Sequence, residues 1–344
     1  MGARSTTEIL SDLNICTEGF KEEVVNVITT DNYLSQRLLK KSKPVDGGKH
    51  IAVPLEYGVT HAHTMGRYDQ INLQPREMMD EARYNWKWIN DTMVIDEQTM
   101  KIENASREKL INIAEAKHKN LARTFKDAFT TFLYSTSIGD DDPESLYSIC
   151  ATQNNTVGGI DASSTSLGFS WNPRIMDLES SAPTFDNLID ETSGFYILNI
   201  IGAIYAALSV GEDKPTVAIT TQVVWDAYEE VLRTKKLFNA SYEADGGFDV
   251  LKFRHMKIVA DESVPGGSLN SSASYSQMYV LNENYLGYRH KTGMDFKFEE
   301  WQKVQLQHVY FCEMNWHGAF VCSRRDKQGC VKGLPKTRGS LTVS

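Results

Sequence analysis

A chain of 344 residues has room for two domains or one elaborated domain, and 41% hydrophobic with 24% charged residues is the composition of a folded globular protein, not a disordered one. A formal net charge of −9 argues against a protein whose main surface grips nucleic acid, although it leaves local basic patches open. The five cysteines, Cys16, Cys150, Cys312, Cys322 and Cys330, are odd in number and form no CxxC pair, so they imply free thiols and no disulfide framework.

The opening MGARSTTEIL lacks the apolar core of a secretory signal, and its Met-Gly start with Thr6 matches a myristoylation signal only loosely. Residues 1–46 are polar, with one apolar patch at Val24, Val25, Val27 and Ile28, and end in Lys40, Lys41 and Lys43 before Pro44. Too few apolar residues are present for a separate core, which predicts an N-terminal arm that docks on another surface, a neighbouring subunit included. From Gly47 the pattern turns to strand alternation, first Ile51, Val53 and Leu55, then Tyr68, Ile71 and Leu73, then Tyr84, Trp86 and Trp88. Pro54 excludes a central strand, and Gly58 and Gly66 flank a His-rich turn, so residues 47–92 read as an edge ribbon that projects from the body. An isolated two-stranded ribbon is marginal in water and needs a second surface. Ile51, Val53, Leu55, Tyr68, Trp86 and Trp88 are therefore the candidate intersubunit contacts.

The clearest helix follows. Leu110, Ala114, Leu121, Phe125, Ala128 and Phe132 recur at helical spacing, while Arg107, Glu108, Glu115, Lys119, Arg123 and Asp127 fill the other side. Asn104 is a candidate N-cap, and a helix of about thirty residues would run roughly 45 Å. Its expected core positions are Leu110, Leu121, Phe125 and Phe132. The apolar spacing does not keep a strict heptad, which disfavours a coiled coil.

An acidic turn, Asp140 to Asp142, then opens a Ser-, Thr- and Gly-rich stretch through Thr192, which marks a domain boundary near residue 138. The apolar run Phe195–Val210 contains Asn199 and Ser209 and is shorter than the ~20 residues of a membrane span, so it reads as a buried helix with Ile197, Ile201, Ile204 and Leu208 as its stripe, Thr192 or Ser193 as cap and Gly211 beyond its end. A strand over 216–220 and a helix with Val224, Tyr228 and Val231 follow. Two strand pairs are expected, 250–253 with 256–260 and 278–281 with 285–288, and Val304–Cys322 reads as further strand. Interleaving without regular alternation predicts an α+β class.

No site of chemistry emerges. GxxxxGK, GxGxxG, GxSxG and HExxH are absent, and the paired glycines Gly158-Gly159, Gly246-Gly247 and Gly266-Gly267 read as turns. His308, Cys312, His317 and Cys322 gather four possible ligands in one segment, without zinc spacing. The C-terminal cations Arg324, Arg325, Lys327, Lys332, Lys336 and Arg338, against a single Asp326, read as a solvated tail, with contact to nucleic-acid phosphates as the alternative. No catalytic, metal or cofactor site is assigned.

Taken in order, GGKHIAVPLEYG, GRYDQINLQPREMMDEARYNWKWINDTMVI, the long helix ending FTTFLY, SLYSICATQNNTVGGIDASS, PTVAITTQVVWDAYEEVL, ADGGFDVLKFRHMKIVADESVP and MYVLNENYLGY make the chain resemble the major capsid proteins of tailed bacteriophages, of the Hong Kong 97-type fold. The likeness covers most of residues 45–325. It implies an N-terminal arm (1–46), an extended β-hairpin loop (47–92) lying across a neighbour, a peripheral domain with a spine helix (93–138 and 281–344) and an axial domain (139–280). Packing of the spine stripe on strands over 304–321 is expected to join the first domain.

The resemblance also implies a structural, non-enzymatic protein that assembles as hexamers and pentamers into an icosahedral virion head around double-stranded DNA, inside the host bacterial cytoplasm. Implied partners are copies of itself, with portal, scaffolding and decoration proteins open, weak non-specific contact with packaged DNA, and no membrane. Two rivals stand beside it: a nanocompartment shell of the same fold holding enzyme cargo, and a metal-dependent enzyme using the His308–Cys322 cluster.

Overall fold

The computed structural model describes residues 13–14, 32–56, 64, 66–67, 79–98, 107–164, 169–235, 243–245, 248–268, 270, 272–305 and 307–338. The sequence expectations at Cys16, Val24–Ile28, His61, His63, Tyr68, Ile71, Leu73 and Asn104 lie outside these residues. In chain order the elements are α1 (Tyr33–Lys40), β1 (Lys43–Val45), β2 (Ile51–Glu56), β3 (Met79–Tyr84), β4 (Lys87–Asp96), α2 (Arg107–Tyr134), a π-turn (Tyr147–Ala151), β5 (Thr156–Val157), β6 (Ile160–Asp161), β7 (Arg174–Asp177), α3 (Phe185–Ile189), α4 (Ile197–Leu208), β8 (Val217–Thr220) and α5 (Gln222–Thr234). They continue with β9 (Glu243–Asp245), β10 (Phe248–Phe253), β11 (Met256–Ala260), β12 (Ser276–Leu281), β13 (Leu286–Lys291), β14 (Lys297–Phe298), β15 (Gln302–Lys303), β16 (Val309–Cys322) and β17 (Gly329–Leu334).

The chain divides into two compact units, the first from Met1–Gly47, Trp86–Pro143 and Tyr288–Ala319, the second from Gly48–Asn85, Glu144–Gly287 and Phe320–Ser344. This differs from the expected map: residues 86–92, expected in the loop 47–92, belong to the first unit, where β4 pairs with β16. The ribbon strands β2 and β3 belong to the second unit, and so does everything past Phe320, because β17 lies inside that unit's sheet between β7 and β12.

In the first unit a six-stranded sheet is built around β16, which takes β4 along its length from Val309↔Asp96 to Gly318↔Lys87. Helix α2 covers one face. Its buried residues are Ala114, His118, Leu121, Ala122, Phe125, Phe129, Leu133 and Tyr134, a stripe with steps of three and four. Phe125 meets Phe296 at 5.8 Å, and Phe129 meets Phe296, Tyr288 and Trp316 at 5.6, 5.9 and 4.9 Å, with edge-to-face geometry against the last two.

The stripe expected at Ala128 and Phe132 is therefore displaced by one position, and Phe132 is only half-buried. One residue turns the helix by about 100°, so Phe129 and Leu133 take the core and Phe132 moves to its flank. Leu110 belongs to α2, and its side chain lies outside the described residues. Glu115 and Lys119 form an ion pair at 2.7 Å across one turn.

The N-terminal segment is not an extended arm where it is described. Asn32 caps α1 by accepting from Ser35 N at 3.0 Å, and Tyr33, Leu34 and Leu38 are buried. Strand β1 then pairs in parallel with β13. Asn14 Oδ1 accepts from Trp301 N at 2.9 Å, which ties the same segment to this unit.

The second unit holds a seven-stranded sheet in the order β7-β17-β12-β8-β11-β10-β9. Helices α4 and α5 pack on it through Ile197, Ile201, Ile204, Leu208, Val224, Tyr228 and Val231, all buried in one cluster with Ile258, Met278 and Val331. Helix α4 is capped by Tyr196, with no side-chain bond, instead of Thr192 or Ser193. Among the described residues no helix is long and apolar enough to cross a membrane. Strands β12 and β13 do not pair as expected: β12 is central to the seven-stranded sheet and β13 belongs to the six-stranded one. Asn282 to Tyr285 are thus a connection between sheets, not a hairpin turn.

Replacing Phe129 with Ala should remove about 3–5 kcal/mol of stability, as for other fully buried Phe residues, and Phe132→Ala clearly less. Denaturant unfolding of the two variants measures this, and equal losses would place Phe132 in the core.

Candidate functional site

Two surfaces emerge from the residues singled out in the sequence. The first is the ribbon. Strands β2 and β3 pair antiparallel from Ile51↔Tyr84 to Glu56↔Met79. Ile51, Val53 and Leu55 are 1%, 5% and 4% exposed. These three are thus core residues of their own chain, which corrects their reading as intersubunit contacts: period-two alternation reveals a buried face and not what buries it. The opposite face presents Ala52 and Pro54 to solvent, and Met79, at 72% exposure, is the most exposed large apolar residue among those described.

The base of the ribbon is fixed by three contacts. Tyr84 Oη donates to Cys322 O at 2.8 Å and accepts from Cys322 N at 3.1 Å. Arg83 N donates to Gly158 O at 2.7 Å. Gly158 and Gly159, both at positive φ (60° and 73°), form the two-residue turn of the β5–β6 hairpin. A Cβ on Gly158 would lie 2.9 Å from Tyr84 Cζ and 3.0 Å from Ala82 Cβ, so only glycine allows this approach.

Beside it, Arg325 is fully buried. Its Nε donates to Ile149 O at 3.0 Å, and its Nη2 donates to Ser148 O and Thr152 O at 3.0 Å and to Asn155 Oδ1 at 2.8 Å. A guanidinium thus satisfies carbonyls at the end of the π-turn, the end of a helical segment that favours cations. Lys327 is buried as well. The expected solvated tail is in this part a structural element, because β17 carries it into the sheet. Tyr84, Gly158 and Arg325 escape a reading by sequence: Tyr84 looks like one more alternating aromatic, and Arg325 sits in a run of cations.

The second surface is the face of the six-stranded sheet turned away from α2. Trp88 is 63% exposed, stacks on His317 at 4.3 Å between ring centroids and donates from Nε1 to Asn315 Oδ1 at 3.0 Å. Asn90, Thr92 and Val94 continue the face along β4, with Val94 exposed. Trp86 is half-buried.

The residues weighed as metal ligands are not brought together. His308 is exposed, 2.6 Å from Glu97, while Cys312 is buried and its Sγ donates to Glu299 O at 3.1 Å. His317 lies on the outer face, where desolvation and then the charge of Lys291 lower its pKa. Burial pushes the thiols of Cys312 and Cys322 up to about 12. Among the described residues no group of three or more His, Cys, Asp or Glu could hold a metal ion.

No family model and no curated protein matches the sequence. Solved structures do. An encapsulin complex from Synechococcus elongatus superposes with a TM-score of 0.53 at 9% identity, covering 92% of this chain and 92% of that one. The capsid of cyanophage A-1(L) gives 0.53 at 13% identity, over 86% of this chain and 91% of the other, and Mycobacterium phage Ogopogo gives 0.52 at 10% identity, over 88% and 92%. The chain has the Hong Kong 97-type capsid fold. In this Hong Kong 97-type fold α2 is the long helix packed on the six-stranded sheet.

Tyr84→Phe would leave the Cys322 N–H and C=O without their buried partner and is expected to cost about 1–3 kcal/mol. Gly158→Ala should destabilise further by strain and overlap. A pH prediction follows from the buried acids. Burial raises Tyr84 well above its usual value and Cys322 and Cys330 to about 12. The native state holds protons that the unfolded chain releases from roughly pH 9–10 upward, so stability should fall as pH rises through that window toward the folded values. Melting temperatures between neutral and strongly alkaline pH test this, and a flat profile would contradict it.

Proposed function

We propose that this chain is a structural, non-enzymatic subunit that self-assembles into a closed shell, and that the shell is the head of a tailed bacteriophage, built of hexamers and pentamers around double-stranded DNA. The observation that carries the proposal is the fold itself, matched over about nine-tenths of this chain and of the cyanophage capsid chain alike. Two surfaces on this chain are available to neighbours: the solvent side of the ribbon around Met79, and the sheet face with Trp88. Large exposed apolar side chains next to a β-ribbon are what an assembling subunit needs to bury. Portal, scaffolding and decoration proteins belong to this proposal as further partners, and assembly takes place in the host cytoplasm.

A nanocompartment shell holding protein cargo is the second reading, favoured by the Synechococcus encapsulin match at equal TM-score. Electron microscopy of the protein expressed alone tests the shared part: rings, sheets or closed shells are expected, and persistent monomers under all conditions would overturn it. Particles isolated from the natural source distinguish the two readings by content, encapsidated DNA for the first and a protein cargo for the second. For the exposed surface, Trp86→Ala with Trp88→Ala should leave a soluble, folded subunit that yields far fewer particles. Unchanged particle yield would remove the Trp88 face from the assembly contacts.

A further inference from the structure

The outer face of the six-stranded sheet collects positive charge at one edge. Tyr288 and Trp316 face α2 through Phe129, so strand alternation turns Arg289, Lys291 and His317 to the opposite side. The parallel register sets Lys43 beside Arg289 and Val45 beside Lys291, and the antiparallel register sets Trp88 beside His317. Lys40, the last residue of α1, leads into the same edge. Lys40, Lys43 and Lys291 are exposed and Arg289 is half-buried.

Among the described residues Lys40, Lys43, Arg289 and Lys291 have no carboxylate partner. Two carboxylates in the strands and turn at this edge have other partners: Asp46 accepts from the Thr292 hydroxyl at 2.9 Å, and Asp295 lies 4.0 Å from His290. Like charges set directly opposite one another across strands are destabilising, and Lys43 opposite Arg289 is such a pair. An anionic ligand would relieve that repulsion.

The chemistry of the patch selects the kind of anion. Three of the four cations are lysines, which protein–protein interfaces disfavour and phosphate-binding surfaces use. We propose that this edge, formed by Lys40, Lys43, Arg289 and Lys291, contacts the phosphate backbone of nucleic acid without sequence preference. The proposal deepens the reading of the chain as a genome-bearing shell, and the contact is weak and salt-labile, in keeping with a chain whose net charge is −9.

The test is fluorescence anisotropy of a short labelled DNA duplex with the full-length subunit over a salt series. Four phosphate contacts predict a slope of log K against log salt of about −3.6, at roughly 0.9 per contact. The variant Lys40→Gln/Lys43→Gln/Lys291→Gln changes only exposed side chains. It should retain the parent circular dichroism, bind at least about tenfold more weakly and lose about 2.7 from the slope. Absence of salt-dependent binding by the parent overturns the proposal, as does equal binding by the variant. So does a variant that loses self-association while DNA binding stays intact, since the edge would then be a contact between copies. Particle formation, followed separately by electron microscopy, keeps the two readings apart. Normal particles without DNA binding sink this proposal and leave the shell; DNA binding without particles does the reverse.

Discussion

The pairing of β4 with β16 is the constraint on which the first unit depends. It joins residues 87–96 to residues 309–318 in one continuous antiparallel ladder, and it creates the flat apolar surface that α2 needs. A helix of 28 residues is stable in water only if its apolar stripe is covered. Phe125 and Phe129 find that cover in Phe296, Tyr288 and Trp316, side chains that come from three separate strands or turns. Helix and sheet are therefore mutually dependent, and the inserted segment from Glu144 to Gly287 is free to build a unit of its own.

The second unit solves a different problem. Its sheet receives β17 from the far end of the chain, and the approach brings Arg325 into the interior. A buried guanidinium without hydrogen bonds would be prohibitively destabilising. Here backbone carbonyls of the π-turn accept from it, and desolvation remains the dominant influence on its pKa, which is lowered. The same neighbourhood holds the ribbon through Tyr84 and Cys322. The paired strands β2 and β3 are thereby anchored at their base. The outer sheet face of the first unit has the opposite character, with the Trp88 indole and the side chains of Lys43 and Lys291 exposed to solvent.

Length, charge and the apolar periodicities determined much of this: the α+β class, the long helix, the buried helix over 197–208, the strand pair β10–β11 and the Gly158-Gly159 turn are local patterns, set by steric and hydrophobic rules that act over a few residues. The order of these elements also carried the resemblance to a capsid fold. What tertiary structure alone decided is which face meets what. Phe129 instead of Phe132 entered the core because a shift of one residue turns a helix by about 100°, and only the opposing sheet selects the register. Ile51, Val53 and Leu55 were buried by their own chain, Leu286–Lys291 left its expected partner for the other sheet, and Arg325 went from tail to core. Each of these is a contact between residues far apart in sequence, and no local period encodes a distant partner.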